Sequence, residues 1–271
     1  MVVTIADDRW VLPDWQTALQ WSKARNDQGI KVILDILGES SRKETEIQGS
    51  VNDYKDLIKN ISAERLDAAV TIKITSLGYL LDREICLRNV LDIGGAANDG
   101  NVGFEIDMEG RSMVDFTLKA ASTCFENGLQ VTIALQAYLD RAGKDIDAMI
   151  ENDVRVRLVK GAYAGDMKDF HEIQNRFIGF AKTLSESGNS FALGTHDTQI
   201  LSLAKVEMNQ AMDKMELGML KGLSDSTKLE FVKNNWKVAE YVPFGSNAIA
   251  YIERRLQYLR QLKAQGRSPA P

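Results

Sequence analysis

The sequence predicts an α/β protein folded as one (β/α)8 barrel of the TIM type, and three observations carry that prediction. The chain has 271 residues, a common length for a single barrel domain. It contains eight short runs rich in β-branched residues, each followed by a polar turn. Longer stretches with the spacing of amphipathic helices separate these runs. Eight alternations of strand and helix make a parallel sheet of the size that closes into a barrel.

The eight strands are predicted from these runs and, for the last two, from their position in the repeat. The runs cover residues 31–37, 69–74, 103–108, 129–135, 154–159, 190–194, 212–218 and 236–242. An open, doubly wound sheet is the alternative, and it would place a GxGxxG turn after the first strand. The segment LDILGES at residues 34–40 lacks that pattern, so the closed barrel is favoured.

Helical periodicity follows several of the strands. The clearest predicted helices are residues 82–93, 111–128 and 166–188. Gly128 and Gly188 end two of them, where a left-handed cap is wanted. An extra helix is predicted over residues 13–29, packed on the base or side of the barrel. Because no long linker or low-complexity segment divides the chain, residues 1–271 are predicted to form one domain.

The charge and hydropathy of the chain argue against some classes of partner. A net charge of −5 disfavours binding to nucleic acid. No apolar run approaches the roughly 18 residues of a membrane span. The start MVVTIADDRW lacks the features of a signal peptide, so a cytoplasmic location is expected. Peripheral contact with the inner membrane surface stays open because the C-terminal segment is basic, with Arg254, Arg255, Arg260, Lys263 and Arg267.

In barrels of this kind the active site lies at the C-terminal ends of the strands. Polar side chains stand there at every predicted strand: Glu39, Lys73, Asp107, Glu109, Gln136, Tyr138, Arg157, Lys160, Tyr163, Thr195, His196, Asp197, Glu216 and Tyr241. Any one of them alone could cap the next helix, and Asp197 suits an N-cap as well as a ligand role. Their convergence from all eight strands predicts a binding mouth. No spacing typical of a metal site is present.

Nine short motifs occur at these strand ends in a fixed order. The most specific are RLVKGAY at 157–163, YVPFG at 241–245 and the paired arginines of YIERRL at 251–256. The others are LGE at 37–39, IKI at 72–74, IDMEG at 106–110, QAY at 136–138, GTHD at 194–197 and ELGMLKGL at 216–223. Over roughly residues 30–260 the chain thereby resembles the proline dehydrogenases, flavoenzymes that oxidise proline.

The resemblance implies FAD-dependent oxidation of L-proline to Δ1-pyrroline-5-carboxylate by hydride transfer to flavin N5, the first step from proline to glutamate. It implies Asp107 and Arg157 as catalytic residues. A fixed positive charge on Arg157 beside N5 favours the reduced, anionic flavin. The positions implied to line the flavin are Met108, Gln136, Arg157, Val159, Lys160, Gly161, Ala162, Thr195 and His196. Gly161 would let the backbone approach the cofactor, and His196 would hydrogen-bond it rather than act as a base.

The resemblance also implies that Lys73, Arg254 and Arg255 bind the substrate carboxylate and that Tyr163 and Tyr241 pack near the proline ring. Lys73 lies in an apolar strand, where its charge needs a partner. The substrate carboxylate is one such partner, and Asp107 or Glu109 is the structural alternative. Guanidinium groups are well suited to hold a carboxylate.

The arginine pair lies on a predicted C-terminal helix over the barrel mouth. Tyr251, Arg254, Arg255 and Tyr258 share one face of this helix. The opposite stripe, which is Ile249, Ile252, Leu256 and Leu259, is predicted to pack on the barrel. Two positions depart from the family pattern: Tyr258 stands where a glutamate is usual, and Asp197 replaces an asparagine.

Two alternative functions compete with proline oxidation. A methylenetetrahydrofolate reductase is another flavin barrel, but it is expected to lack the arginine pair. A barrel without catalysis would not need Lys73, Asp107 and Arg157 together. The resemblance suggests a quinone or another electron acceptor, and a separate pyrroline-5-carboxylate dehydrogenase as a partner.

Overall fold

The computed structural model describes residues 9–163, 165–266 and 268–269. Its eight strands form a closed parallel barrel in which each strand pairs with the next along the chain and the last pairs with the first. The strands are β1 Lys31–Ile36, β2 Ala68–Ile72, β3 Gly103–Ile106, β4 Thr132–Gln136, β5 Arg155–Val159, β6 Phe191–Gly194, β7 Met215–Leu220 and β8 Lys237–Phe244. The predicted barrel is confirmed.

Helices surround the barrel and cross its mouth. They are α1 Trp15–Asp27, α2 Glu44–Ala63, α3 Arg83–Asp99, α4 Val114–Glu126, α5 Ala142–Glu151, α6 Phe170–Glu186, α7 Thr198–Glu207, α8 Asp225–Lys233 and α9 Ile249–Ala264. Short 3-10 turns follow β2, β3 and α7. Gly128 and Gly188 have φ angles of 75° and 84°, which confirms them as left-handed caps after α4 and α6.

The predicted extra helix is α1, and it lies on the side of the barrel rather than its base. Asp14 caps its first turn by accepting a hydrogen bond from the Thr17 backbone N–H at 2.8 Å. The side chains of Trp21 and Arg25 reach the outward-facing carboxylate of Glu240 on β8. A buried ionic contact therefore docks α1 on the outside of β8.

Residues alternate between the two faces of each strand, and the faces differ in chemistry. The outward residues of the strands, such as Val32, Leu34 and Val70, join the large apolar core beneath the helices. The inward residues include a smaller apolar cluster around Ile33 and Ala239, together with many charged groups. The polar interior distinguishes this barrel from one filled by branched apolar side chains alone.

The C-terminal helix α9 crosses the mouth, as predicted, and three of the four residues of the predicted stripe, Ile252, Leu256 and Leu259, pack on the smaller apolar cluster of the barrel. Tyr251 and Ile252 are buried, and the ring of Tyr251 lies parallel to the ring of Tyr241 with centroids 6.5 Å apart. Ile249, which was expected to pack on the barrel, is 75% exposed because it begins the helix beyond the rim. The basic tail residue Arg267 lies outside the described residues.

Candidate active site

Lys73 follows β2 and points into the barrel, where it is 3% exposed. Its ammonium donates to Asp35 Oδ1 at 2.6 Å and to Tyr241 Oη at 3.3 Å, and it lies 3.3 Å from Asp107 Oδ2. Of the two structural partners predicted, Asp107 is therefore close, whereas Glu109 instead accepts from the backbone and hydroxyl of Thr75. Three oxygens surround Lys73, so an incoming carboxylate must share or displace one of them.

Arg157 and Asp107, the two residues implied to be catalytic, form an ion pair. Arg157 Nη2 donates to Asp107 Oδ1 at 2.5 Å, and the Tyr241 hydroxyl donates to Asp107 Oδ2 at 2.6 Å. Burial acts to raise the pKa of Asp107, but the charges of Lys73 and Arg157 outweigh it and hold the pKa at about 2. Asp107 is thus ionised at neutral pH and joins the two cations to Tyr241.

The two arginines of α9 diverge. Both terminal nitrogens of Arg254 bond the carboxylate of Glu39, and its guanidinium lies 4.9 Å from the ring centroid of Tyr163. Arg255 lies 5.3 Å from the ring centroid of Tyr251, and its buried Nε has no hydrogen-bond partner within the described part of the chain. The adjacent arginines therefore face different sides of the mouth.

Lys160 and Asp197 form an ion pair at the ends of β5 and β6, with Nζ and Oδ2 2.7 Å apart. Asp197 also caps α7 by accepting from the backbone N–H groups of Gln199 and Ile200. Thr195 accepts from the Asp197 backbone N–H at 3.1 Å. The N-cap alternative for Asp197 is thus observed, while its second oxygen places a negative charge beside Lys160.

His196 is buried, and both of its ring nitrogens are used within the protein. The Leu220 backbone N–H donates to Nε2 at 2.9 Å, so Nδ1 carries the proton and donates to Ser224 Oγ at 2.7 Å. Burial, together with the charges of Lys228 and Arg255, lowers the pKa of His196 to about 3. The imidazole is neutral, and in this geometry it offers neither nitrogen to a cofactor.

Gln136 and Gly161 are both held by Tyr138. The Tyr138 hydroxyl donates to Gln136 Oε1 at 2.6 Å and accepts from the Tyr163 backbone N–H at 2.9 Å. Gly161 has a φ of 131°, and a Cβ there would lie 1.7 Å from the Tyr138 ring. Close approach of the cofactor predicted a glycine at position 161. The packing of Gly161 against the Tyr138 ring is a second reason why no larger residue fits there.

The remaining predicted cofactor residues surround the same end of the barrel. Val159 ends β5 and is half-buried, while Ala162 is exposed on the loop after it. Met108 follows β3 and is buried within the outer apolar core. No group of three His, Cys, Asp or Glu side chains in the described ranges is arranged to hold a metal ion.

Glu216 was predicted at the mouth, and this prediction is wrong. β7 begins at Met215 and ends at Leu220, so Glu216 lies near its N-terminal end. Its carboxylate pairs there with Lys31 at 3.3 Å and with Arg155 at 3.2 Å, which are the first residues of β1 and β5. The observed strand begins three residues and ends two residues later than the predicted run 212–218, so Glu216 lies at the bottom of the barrel.

Sequence reasoning missed two interior carboxylates, Asp35 and Glu105. Asp35 holds Lys73, and Glu105 Oε2 lies 3.2 Å from Arg157 Nε. Both are fully or almost fully buried. The signal that identified Lys73, a charge inside an apolar strand, was also present at Asp35 in KVILDIL. Glu105 is two residues before Asp107, so alternation places both side chains in the interior.

A closed parallel barrel with charged groups gathered at the C-terminal ends of its strands defines a (β/α)8-barrel enzyme. Residues 18–258 match the family model described as proline dehydrogenase. The chain belongs to the proline dehydrogenase family. None of the helices within the described ranges is long and apolar enough to cross a membrane.

Similar proteins agree with that assignment. Proline dehydrogenase 1 of Bacillus subtilis subsp. natto is 31% identical over 248 residues, which cover 89% of this chain and 82% of that protein. Proline dehydrogenase of Deinococcus radiodurans is 27% identical over 253 residues, with 89% and 82% covered. The crystal structure of proline utilization A from Bdellovibrio bacteriovorus inactivated by N-propargylglycine shares the fold, with a TM-score of 0.84 at 21% identity. That match covers 92% of this chain and 32% of the larger protein.

Proposed function

We propose that this chain oxidises L-proline to Δ1-pyrroline-5-carboxylate on a bound FAD at the barrel mouth. The observation that carries the proposal is the pairing of a buried ammonium, Lys73, with a helix that brings Arg255 over the same mouth. Buried cations of this kind are suited to a small carboxylate ligand. The family that the chain belongs to supports proline as that ligand.

The substrate carboxylate is assigned to Lys73, Arg254 and Arg255. Arg255 is the most available of the three, because Arg254 is engaged by Glu39 and Lys73 has three oxygen neighbours. Tyr163 and Tyr241 would flank the proline ring, since Tyr163 lies under Arg254 and Tyr241 lies beside Lys73. Binding then involves partial release of Arg254 from Glu39 and of Lys73 from its carboxylates.

The residues at the mouth fit a flavin. Arg157 supplies a buried positive charge, Lys160 supplies a cation for a phosphate group, and Gln136 supplies an amide. A flavin bound there would supply the hydride acceptor, N5. The residues assigned to hold it are Met108, Gln136, Arg157, Val159, Lys160, Gly161, Ala162, Thr195 and His196. Given the hydrogen bonds of His196, its contribution would come from the ring face or edge.

A groove beside the mouth supports FAD rather than the shorter FMN. It lies between α6 and α7, has a volume of about 480 Å³ and is lined by Gln174, Asn175, Thr198, Gln199 and Ser202 among others. Gln174, which lines the groove, also donates a hydrogen bond to Asp197 at 3.3 Å, so the groove adjoins the Lys160–Asp197 pair. A groove of this size accommodates a nucleoside.

Arg157 and Asp107 are assigned to the chemistry. Arg157 would stabilise negative charge that develops next to it, and Asp107 would keep Arg157, Lys73 and Tyr241 in register. No strong base is required of the protein, because the proline nitrogen can lose its proton to water. We further propose a quinone or another acceptor for the electrons and a separate pyrroline-5-carboxylate dehydrogenase for the product. A cytoplasmic location, peripheral at the inner membrane surface, would suit a quinone acceptor.

The experiment that tests this function is anaerobic addition of L-proline to the purified protein. A flavin absorbance spectrum, FAD released on denaturation and bleaching by L-proline with formation of the pyrroline product are expected. Bleaching by NADH instead of L-proline, followed by reoxidation with methylenetetrahydrofolate, would indicate the reductase reading. A colourless protein that binds neither flavin nor proline would indicate a barrel without catalysis.

A further inference from the structure

The guanidinium of Arg157 lies between two carboxylates of the same strand end. Its Nη2 bonds Asp107 at 2.5 Å, and its Nε lies 3.2 Å from Glu105 Oε2. Glu105 is the inward residue one layer below Asp107, and the small Ala134 on β4 leaves room for the side chains of β3 and β5 to meet. Two carboxylates therefore determine the electrostatic environment of Arg157, and only one of them, Asp107, faces the mouth.

Glu105 is 1% exposed, yet neither of its oxygens accepts a hydrogen bond from any described residue. Buried carboxylates retained for the fold normally have their oxygens satisfied by donors. Glu105 is held by charge alone, with Arg157 Nε at 3.2 Å and Arg155 Nη1 at 4.0 Å. Glu105 therefore acts on the neighbouring Arg157 through its charge and not through hydrogen bonds.

The lower cation, Arg155, is already neutralised from the other side. Arg155 pairs with Glu216 at 3.2 Å, and Glu216 pairs in turn with Lys31 at 3.3 Å. Most of the negative charge of Glu105 therefore acts on Arg157. Burial works to lower the pKa of Arg157, but the charges of Glu105 and Asp107 raise it above its ordinary value, so the guanidinium stays charged.

We propose that Glu105 is a positioning residue for the cofactor: it holds Arg157 by Nε and offsets part of its positive charge, and it thereby sets the reduction potential of the flavin. The inference rests on the proposed function, in which Arg157 lies beside the flavin. A group that gains negative charge on reduction is stabilised by Arg157 and opposed by Glu105. Glu105 keeps the flavin from holding electrons too tightly to pass them on.

The test is the midpoint potential of the bound flavin, measured by anaerobic spectroscopic titration against a reference dye. Glu105→Gln keeps the volume of the side chain and removes its charge, so the potential should become more positive. A tenfold change in the equilibrium constant for reduction is the expected size, which is about 30 mV for a two-electron couple. Glu216→Gln is the matched control, because it removes a buried carboxylate of the same ion chain at the far end of the barrel. Its shift should be much smaller.

A potential unchanged by Glu105→Gln, or one moved equally by Glu216→Gln, overturns the assignment. Should Glu105→Gln fail to fold, Glu105→Asp decides alone, because its shorter side chain withdraws the charge from Arg157. A potential above the wild-type value then supports the proposal, and a value at or below it overturns the proposal. Proline is absent from these titrations, so failure of the proline reaction and failure of the Glu105 assignment are separate results.

Discussion

On β8, Glu240 faces the helices outside the barrel, whereas its neighbour Tyr241 faces the interior. Glu240 is fully buried, and both of its carboxylate oxygens are satisfied. One oxygen accepts from Trp21 Nε1 at 2.7 Å and from Arg25 Nε at 3.2 Å, and the other accepts from Lys228 Nζ at 2.5 Å. We refer to Glu240, Trp21, Arg25 and Lys228 as the outer cluster.

The inner cluster consists of Tyr241, Asp35, Lys73, Asp107 and Arg157. It is also largely buried, but Asp35 Oδ2 and Arg157 Nε have no hydrogen-bond partner within the described ranges. Above it, the Nε of Arg255 and the hydroxyl of Tyr251 on α9 also lack partners among the described residues.

The difference between the two clusters separates their roles. Buried polar groups that serve the fold have their hydrogen-bonding capacity filled, because an unmade bond costs free energy. The outer cluster meets that condition and joins α1 and α8 to β8. Arg157 Nε faces Glu105 below the mouth. Asp35 of the inner cluster, and Tyr251 and Arg255 above it, keep unfilled hydrogen-bonding capacity that a ligand at the mouth can use. The following predictions test whether this contrast holds.

The largest expected effect is on stability, from Glu240→Gln. It removes the buried carboxylate between Arg25 and Lys228, which keep only the half-exposed Asp225 as a counter-charge, so the free energy of unfolding should fall by up to about 3–5 kcal/mol. Denaturant unfolding measures the change. The control is Glu230→Gln, which removes an exposed carboxylate paired with Lys205 and should cost about 1 kcal/mol or less. Equal losses of stability in the two variants would show that the outer cluster stabilises the fold no more than an exposed ion pair does.

Lys73→Met should act on substrate binding. The loss of a charged hydrogen bond to the proline carboxylate is worth about 1.5–3 kcal/mol, so the half-saturating proline concentration should rise by about 10- to 150-fold. Stability should fall as well, because Asp35 and Asp107 lose their shared cation. Lys31→Met makes the same change at the bottom of the barrel and should leave the saturation curve in place. Matching curves for both variants would contradict the assignment of Lys73.

The neutral, buried His196 predicts a dependence of stability on acid. Its pKa is about 3 in the folded protein and near 6.5 when unfolded, so the unfolded chain takes up a proton that the folded chain refuses. Stability is therefore full above pH 6.5 and declines as the pH falls from 6.5 toward 3. His196→Gln should flatten the decline between pH 6.5 and 4.5, measured by thermal unfolding. A wild-type slope in His196→Gln would contradict this prediction.

The smallest expected effect comes from Tyr258, where the chain departs from the family pattern. Its ring centroid lies 5.9 Å from the guanidinium carbon of Arg255. A cation–π contact at this range is worth about 0.5 kcal/mol, so Tyr258→Ala should weaken proline binding about twofold. Tyr258→Glu should bind proline within about twofold of wild type, because a carboxylate one turn away also pairs with Arg255. Wild-type proline affinity in Tyr258→Ala would show that the tyrosine at position 258 has no effect on substrate binding.

Much of the fold was predictable because the signals were local and repeated. The β-branched runs and the helical stretches between them gave six of the strands, and the count of eight predicted closure. β7 could be placed only by position, since its run MDKMELG has weak strand character. That error of two to three residues placed Glu216 at the predicted mouth instead of the bottom of the barrel.

Most members of the site were predictable, with Asp35 and Glu105 as the exceptions, but the pairings between them were not. Lys73, Asp107, Arg157 and Tyr241 converge as the sequence indicated, since strand ends fix where side chains begin. Which partner each charge takes depends on contacts between strands far apart in sequence. The divergence of Arg254 toward Glu39 is one example of a pairing that no local pattern encodes.

The central claim is that unfilled bonding capacity at the mouth marks the substrate site, and Arg255 tests it most directly. Its Nε lacks a partner among the described residues, so Arg255→Met should cost little stability. The measurement is the anaerobic rate of flavin bleaching as a function of L-proline concentration, with Arg260→Met, at an exposed position on α9, as the control. The half-saturating proline concentration is expected to be about tenfold or more higher in Arg255→Met alone, with an unchanged unfolding midpoint. Coincident curves for wild type and both variants would contradict it.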